Sequence, residues 1–175
     1  MIMNKMHPPI LLIVAGKSGS GKTTILERLI PELKKKGLRV GTIKHHHGEF
    51  DMDIPGKDSW RHKMAGAEKT IISSPNRIGI VMDTDHDHTP EELAHFLSGM
   101  DIALVEGFKG EDLPKLEIFR KEIHERPLCL QDNNLIAMIT DDNLDLYVPR
   151  FGLDEMKELA DFIISHFGIT PGAKG

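Results

Sequence analysis

Six consecutive apolar residues, Ile10-Leu11-Leu12-Ile13-Val14-Ala15, run without polar alternation into a glycine-rich stretch. A short unbroken run of this kind reads as a strand buried on both faces of a parallel sheet. Beyond the glycines the period changes. Ile25, Leu26, Leu29, Ile30 and Leu33 fall on one helical face between Thr23 and Lys36, and Gly37 sits where a C-terminal cap belongs. Pro31 interrupts this helix and is expected to bend it. A second strand from Arg39 to Lys44 completes strand, loop, helix and strand, which is one βαβ unit.

Residues 45–59 are polar and include Gly48, Pro55 and Gly56, so they read as a long loop before a short helix from Ser59 to Ala65. Strands are expected at Lys69 to Ser73, Arg77 to Met82, Ile102 to Val105, Leu116 to Arg120 and Leu135 to Thr140. Helices are expected at Pro90 to Ser98 and, from Met156, Leu159, Ala160, Ile163 and Phe167 at helical spacing, at Leu153 to Phe167. Leu116 to Arg120 is a candidate exposed edge available for pairing, although any half-buried strand looks the same. Residues 168–175 read as a frayed tail.

Length and composition narrow the class. At 175 residues with 39% hydrophobic content the chain can build a sizeable core, and one compact domain over 1–175 is the expectation. A formal net charge of −5 gives no basic footprint for nucleic acid or an anionic membrane, so neither partner is expected. The one cysteine, Cys129, cannot form an internal disulfide, which fits a reducing compartment and favours the cytoplasm. The apolar run at Ile10 is short for a signal core, and no other stretch approaches the length of a membrane span.

Candidate chemistry begins at Gly16-Lys17-Ser18-Gly19-Ser20-Gly21-Lys22-Thr23, which matches G-x-x-x-x-G-K-[ST] between a buried strand and an amphipathic helix. Backbone N–H groups of such a loop turn inward on phosphates, and the following helix adds its positive end. Lys22 is expected to reach the β- and γ-phosphates and Thr23 to offer a hydroxyl to Mg²⁺. Gly16, Ser18, Gly19, Ser20, Gly21 and Thr24 complete the nucleotide-binding set. The fold expected is α/β and P-loop NTPase-like, a mostly parallel central sheet with helices on both faces. In that fold the strand ending at Val105 lies beside the first one, so Glu106 faces the magnesium directly or through water.

Further segments extend the pattern: Ile43-Lys44-His45-His46-His47, Asp51-Met52-Asp53-Ile54-Pro55-Gly56-Lys57-Asp58-Ser59, Ala65-Gly66-Ala67 and Val105-Glu106-Gly107-Phe108-Lys109. With the phosphate loop they resemble the molybdopterin-guanine dinucleotide biosynthesis adaptor family, MobB, over most of the chain from Ile10 to Asp141. The resemblance implies a GTP-binding adaptor in molybdenum cofactor biosynthesis, weakly hydrolytic at most and homodimeric. It implies partnership with the molybdenum cofactor guanylyltransferase, which joins GMP to molybdopterin, and makes molybdopterin itself a candidate ligand. Lys17 stands where deviant phosphate loops carry a lysine that reaches across a dimer, but Ser18 replaces the usual glycine, so Lys17 reads as an exposed loop lysine.

His45, His46 and His47 with Glu49, Asp51 and Asp53 offer imidazole and carboxylate donors. Consecutive strand residues point to opposite faces, so three such histidines do not meet one ion without distortion. Contact with nucleotide or pterin phosphate is the better reading of them. Asp58 opens a short helix, where a carboxylate serves as a cap, and the resemblance adds a role near Mg²⁺. Asp83, Asp85, His86, Asp87 and His88 read as a solvated turn before Thr89, a helix cap. Asp141, at the end of the strand that closes on Thr140, is the candidate for reading guanine, because one carboxylate can accept both N1–H and the N2 amino group. Asp141 and Asp142 also read simply as a turn before Asn143. Two other classes compete. A small-molecule kinase needs an arginine-rich lid, and Arg61, Arg77, Arg120 and Arg126 are scattered. A metal-insertion GTPase is favoured by the histidines and disfavoured by the lone cysteine.

Overall fold

A computed structural model describes residues 7–46, 48 and 50–170. The chain divides into two compact units, one formed by the residues up to His45 together with Thr89 onward, the other by His46–His88. No shift in composition marks either junction.

The first unit is built on six strands: β1 (Ile10–Ala15), β2 (Val40–Lys44), β5 (Ile102–Glu106), β6 (Lys115–Ile118), β7 (Leu135–Ile139) and β8 (Arg150–Phe151). They lie in the order β2-β5-β1-β6-β7-β8, every pair parallel. The expected α/β architecture is therefore present, with β5 directly beside β1. Buried Leu12 and Val14 point to one face, and Ile13 and Ala15 to the other. On the first face pack α1 (Lys22–Lys35), through Ile25, Leu26, Leu29 and Leu33, and α4 (Met156–Phe167), through Met156, Leu159, Ala160 and Ile163. The second face is covered by Leu93 and Leu97, around α3 (Pro90–Ala94) and its following 3₁₀ turn His95–Leu97, and by Leu128, Cys129 and Leu130. Thr89 caps α3 as expected: its Oγ1 accepts from the Glu92 N–H at 3.3 Å while Glu92 accepts from the Thr89 N–H at 2.8 Å. That reciprocal pair satisfies two N-terminal donors at once.

Gly37 closes α1 at φ 92°, with the Leu38 N–H reaching back to the Leu33 carbonyl at 3.2 Å. Gly168, assigned to the tail by the sequence pattern, closes α4 in the left-handed conformation, and Ile169 packs against the core. Residues 171–175 lie outside the described part of the chain. Two expectations require correction. The segment from Leu116 to Arg120 is not an edge: β6 is paired on both sides, by β1 and β7. Its Lys115 and Glu117 imitate a solvated face but are each only 1% exposed. Burial is possible because both are fully partnered. The Lys115 ammonium donates to the carbonyls of Glu111 at 2.5 Å and Leu113 at 3.3 Å and pairs with Asp132 at 2.9 Å. The Glu117 carboxylate accepts from the N–H groups of Leu128 at 2.5 Å and Cys129 at 2.8 Å. Secondly, the last helix begins at Met156, because Leu153 to Glu155 are held in a turn after the two-residue strand β8.

The second unit holds α2 (Asp58–Met64) and an antiparallel hairpin, β3 (Lys69–Ser74) with β4 (Arg77–Met82). Lys63 on α2 pairs with Asp83 just past β4. Ile71 stands opposite Ile80 and Ser73 opposite Ile78, so three isoleucines share one face of the ribbon. They are 47% to 67% exposed.

Candidate functional site

The parallel register sets the site. Val14 of β1 lies beside Glu106 of β5, which lies beside Lys44 of β2, so three strands end together where the phosphate loop begins. The loop turns through Gly16, Gly19 and Gly21 at φ of 146°, 80° and 92°, conformations that side chains resist. Gly16 is also confined: a Cβ there would stand 2.6 Å from Ser20 Oγ and 2.7 Å from the Ile118 carbonyl oxygen. Ser18 and Gly19 occupy the exposed turn, as does Lys17, whereas Ser20 is 2% exposed.

The loop gathers donors that lack acceptors. Helix α1 runs 14 residues yet has no side-chain cap and no acidic residue in its first turn. Its leading N–H groups, around Lys22, Thr23 and Thr24, therefore have no intrahelical acceptor and carry the positive end of the dipole. Ser20 Oγ is buried with no hydrogen-bond partner among the described residues. The Lys22 ammonium folds back on the loop, donating to the carbonyls of Gly16 at 2.9 Å and Lys17 at 3.0 Å. Burial pulls its pKa below the ordinary lysine value; Glu106 opposes that shift and Lys44 adds to it.

Glu106 ends β5 beside the loop, its carboxylate 3.6 Å from the Lys44 ammonium. The next residues are sharply bent. Gly107 has φ 107°, and Phe108, at φ 51°, is the only non-glycine residue with positive φ among those described. The Phe108 ring stacks on His45 with centroids 4.2 Å apart, and the His45 N–H donates to the Glu106 carbonyl at 2.9 Å. His45 is thus tied to the Glu106 turn. His46 is exposed, and His47 and Glu49 lie outside the described residues. Among the described residues no group of three or more His, Cys, Asp or Glu side chains gathers to hold a metal ion.

Asp58 is not a helix cap. Lys57 occupies the capping position and Asp58 is the first helical residue, its carboxylate 90% exposed and 3.9 Å from Arg61. Asp141 does stand at the C-terminal edge of the sheet. Its Oδ1 accepts from the Leu153 N–H at 2.9 Å, and the Arg28 guanidinium donates to the Leu153 carbonyl at 2.8 Å and to Asp154 at 2.6 Å. Thr24, Arg28, Arg120, Asp141, Leu153 and Asp154 line a cleft of about 290 Å³ that opens from the end of the phosphate loop. Asp142 is a turn residue: its carboxylate accepts from the Lys121 N–H at 2.9 Å, and its own N–H donates to Thr140. Sequence reasoning left Arg120 unassigned. Its signal was the next strand's register, which only the fold reveals.

This geometry meets a matching ancestry. The profile of MobB, described as Molybdopterin guanine dinucleotide synthesis protein B, matches residues 10–141. The chain belongs to the MobB family. It is 41% identical to the molybdopterin-guanine dinucleotide biosynthesis adapter protein of Escherichia coli strain K12, over 88% of this chain and 91% of that one. It is 38% identical to the adapter protein of that name from Haemophilus influenzae, over 95% of each. The crystal structure of Bacillus subtilis MobB superposes with a TM-score of 0.69 at 33% identity, over 90% of this chain and 96% of that one. The family match spans the phosphate loop, Glu106 and Asp141 alike.

Proposed function

We propose that the chain is a cytoplasmic, GTP-binding adaptor of molybdopterin guanine dinucleotide biosynthesis that works beside the guanylyltransferase joining GMP to molybdopterin. The observation that carries the nucleotide is the open α1 terminus: uncapped, free of acidic side chains in its first turn, and set against a buried Ser20 hydroxyl without a partner among the described residues. Each of those groups gains from an anion. The relatives named as adapter proteins support the pathway.

In this reading Gly16, Ser18, Gly19, Ser20 and Gly21 wrap the phosphates, Lys22 leaves the loop carbonyls for the terminal phosphates, and Thr24 borders the ribose side. Mg²⁺ fits the donor set, since the Thr23 hydroxyl in the first turn of α1 and the Glu106 carboxylate at the end of β5 are hard oxygen donors. The chemistry Mg²⁺ would supply there is positive charge against the phosphates. Hydrolysis is slow at most, and the nucleotide's main work is to set the adaptor's binding state. Asp141 is proposed to read guanine through N1–H and N2–H.

A homodimer is part of the proposal. A two-stranded ribbon is marginal by itself in water, and three exposed isoleucines on one face of this one favour cover by a second copy. Titration calorimetry with GTP and Mg²⁺, followed by capture of purified guanylyltransferase with and without GTP, tests the central claim. GTP binding that survives intact in Lys22→Ala, or no association with the transferase in either state, would overturn it. Sedimentation of the wild type against Ile78→Lys tests the dimer, which fails if both sediment as the same monomer.

A further inference from the structure

Strands β6 and β7 pair Ile118 with Ile139, and the Phe119 N–H continues the ladder to the Ile139 carbonyl at 3.0 Å. Beyond these strand ends the two segments are tied again, by the Lys121 N–H donating to Asp142 at 2.9 Å. The two segments thus bring the Arg120 guanidinium and the Asp141 carboxylate to the sheet edge where this fold class binds ligands. Both border the 290 Å³ cleft at the end of the phosphate loop.

The two arginines of the cleft differ. Arg28 is committed to Leu153 and Asp154. Arg120 is held through one nitrogen by Glu122 at 2.6 Å, an exposed pair of little strength. A guanidinium carries five donors, so most of its fork remains to be used. Asp141 has spent lone pairs of Oδ1 on the Leu153 N–H, and a carboxylate accepts further bonds.

Purines divide on this pair. Guanine presents acceptors O6 and N7 along one edge and donors N1–H and N2–H₂ along the next, so a fork of donors beside a carboxylate matches it. Adenine turns its N6 amino donor toward the guanidinium and its bare N1 toward the carboxylate, a mismatch at both. We propose that Arg120 is a second base-reading residue, donating to O6 and N7 of guanine while Asp141 accepts from N1–H and N2–H. The proposal rests on the GTP reading above and extends it to a residue outside the phosphate loop.

The test is calorimetric binding of GTP, ITP, ATP and 7-deaza-GTP, each with Mg²⁺, to wild type, Arg120→Met and Glu122→Gln, with thermal midpoints confirming that all three are folded. Arg120→Met is expected to bind GTP and ITP roughly tenfold more weakly and ATP no more weakly, since only the first two offer O6 and N7 together. The penalty that wild type shows for 7-deaza-GTP should vanish in Arg120→Met, because N7 has then lost its donor. Glu122→Gln, which leaves the fork intact, should keep the wild-type preference. An equal loss for all four nucleotides would make Arg120 a phosphate contact and overturn the proposal, as would an unchanged GTP to ATP ratio in Arg120→Met. A wild type without preference for GTP over ATP would instead overturn the GTP reading itself.

Discussion

Replacing Gly16 by alanine asks how much of the phosphate loop's shape is imposed by its surroundings. The added Cβ would sit 2.6 Å from Ser20 Oγ and 2.7 Å from the Ile118 carbonyl. Ser20 is buried, and Ile118 is fixed in the middle of the parallel sheet, so neither neighbour gives way cheaply. An L-residue at φ 146° adds backbone strain of about 1–3 kcal/mol. Overpacking against a rigid wall adds about 1–3 kcal/mol more. The sum, about 2–6 kcal/mol, corresponds to a fall of about 4–24 °C in the unfolding midpoint for a chain of this size. Gly19 and Gly21 supply the control, because a Cβ at either meets nothing within 4 Å and only the strain applies. Thermal unfolding without nucleotide should therefore rank Gly16→Ala well below Gly19→Ala and Gly21→Ala. GTP affinity of Gly16→Ala should fall as well, since relief of the clash moves the Ser20 end of the cradle. Equal midpoints for the three variants would refute the claim that Ile118 and Ser20 confine the loop.

Lys22→Ala should abolish most triphosphate binding while the midpoint changes little, since the ammonium's only loop partners are two carbonyls that water can replace; calorimetry and thermal unfolding together check this. Asp132→Asn removes the negative charge that pairs with the buried Lys115 ammonium and leaves it only neutral acceptors, which should cost about 2 kcal/mol in urea unfolding, moderated by the partial exposure of Asp132. The same pair predicts a pH effect. The hydrogen bond from Lys115, then that from the Asn134 N–H, hold Asp132 below the usual aspartate value, so the folded chain binds its proton less tightly than the unfolded chain. Its stabilisation is present above about pH 4 and lost as pH falls through the folded value, and that part of the acid loss should be missing in Asp132→Asn. Cys129, buried and with its thiol pushed up to about 12, should resist alkylation at neutral pH until the chain unfolds, as a thiol-labelling time course would show.

The phosphate loop was legible from sequence because each of its signals is local: an unbroken apolar run, glycines at fixed offsets, then a 3.6-residue period. Glu106 was legible by the same logic, as a carboxylate closing an apolar strand, and β5 indeed lies beside β1. What the sequence hid depends on pairing across long separations. Lys115 and Glu117 alternate with Leu116 and Ile118 as if one face met water, and nothing local reveals that Asp132 and the N–H groups of Leu128 and Cys129 neutralise them. Asp58 looked like a cap because capping residues and first-turn acids share a composition, and only the backbone separates Lys57 from Asp58.

The buried charges of β6 then explain why its end can serve the cleft. Lys115 fixes the loop that enters the strand, through the carbonyls of Glu111 and Leu113, and Glu117 fixes the segment at Leu128 and Cys129 that covers it. A strand clamped by ionic groups along its length cannot slide past β7, since partial satisfaction of either charge would be costly. Register between Ile118 and Ile139 is thereby locked, and with it the delivery of Arg120 and Asp141 to one cleft. Burying Lys115 and Glu117 gains little stability in itself. Its consequence is positional: two side chains 21 positions apart are delivered to the same cleft, and Glu117→Gln, which sets an amide donor against an N–H, should loosen that alignment before it unfolds the chain.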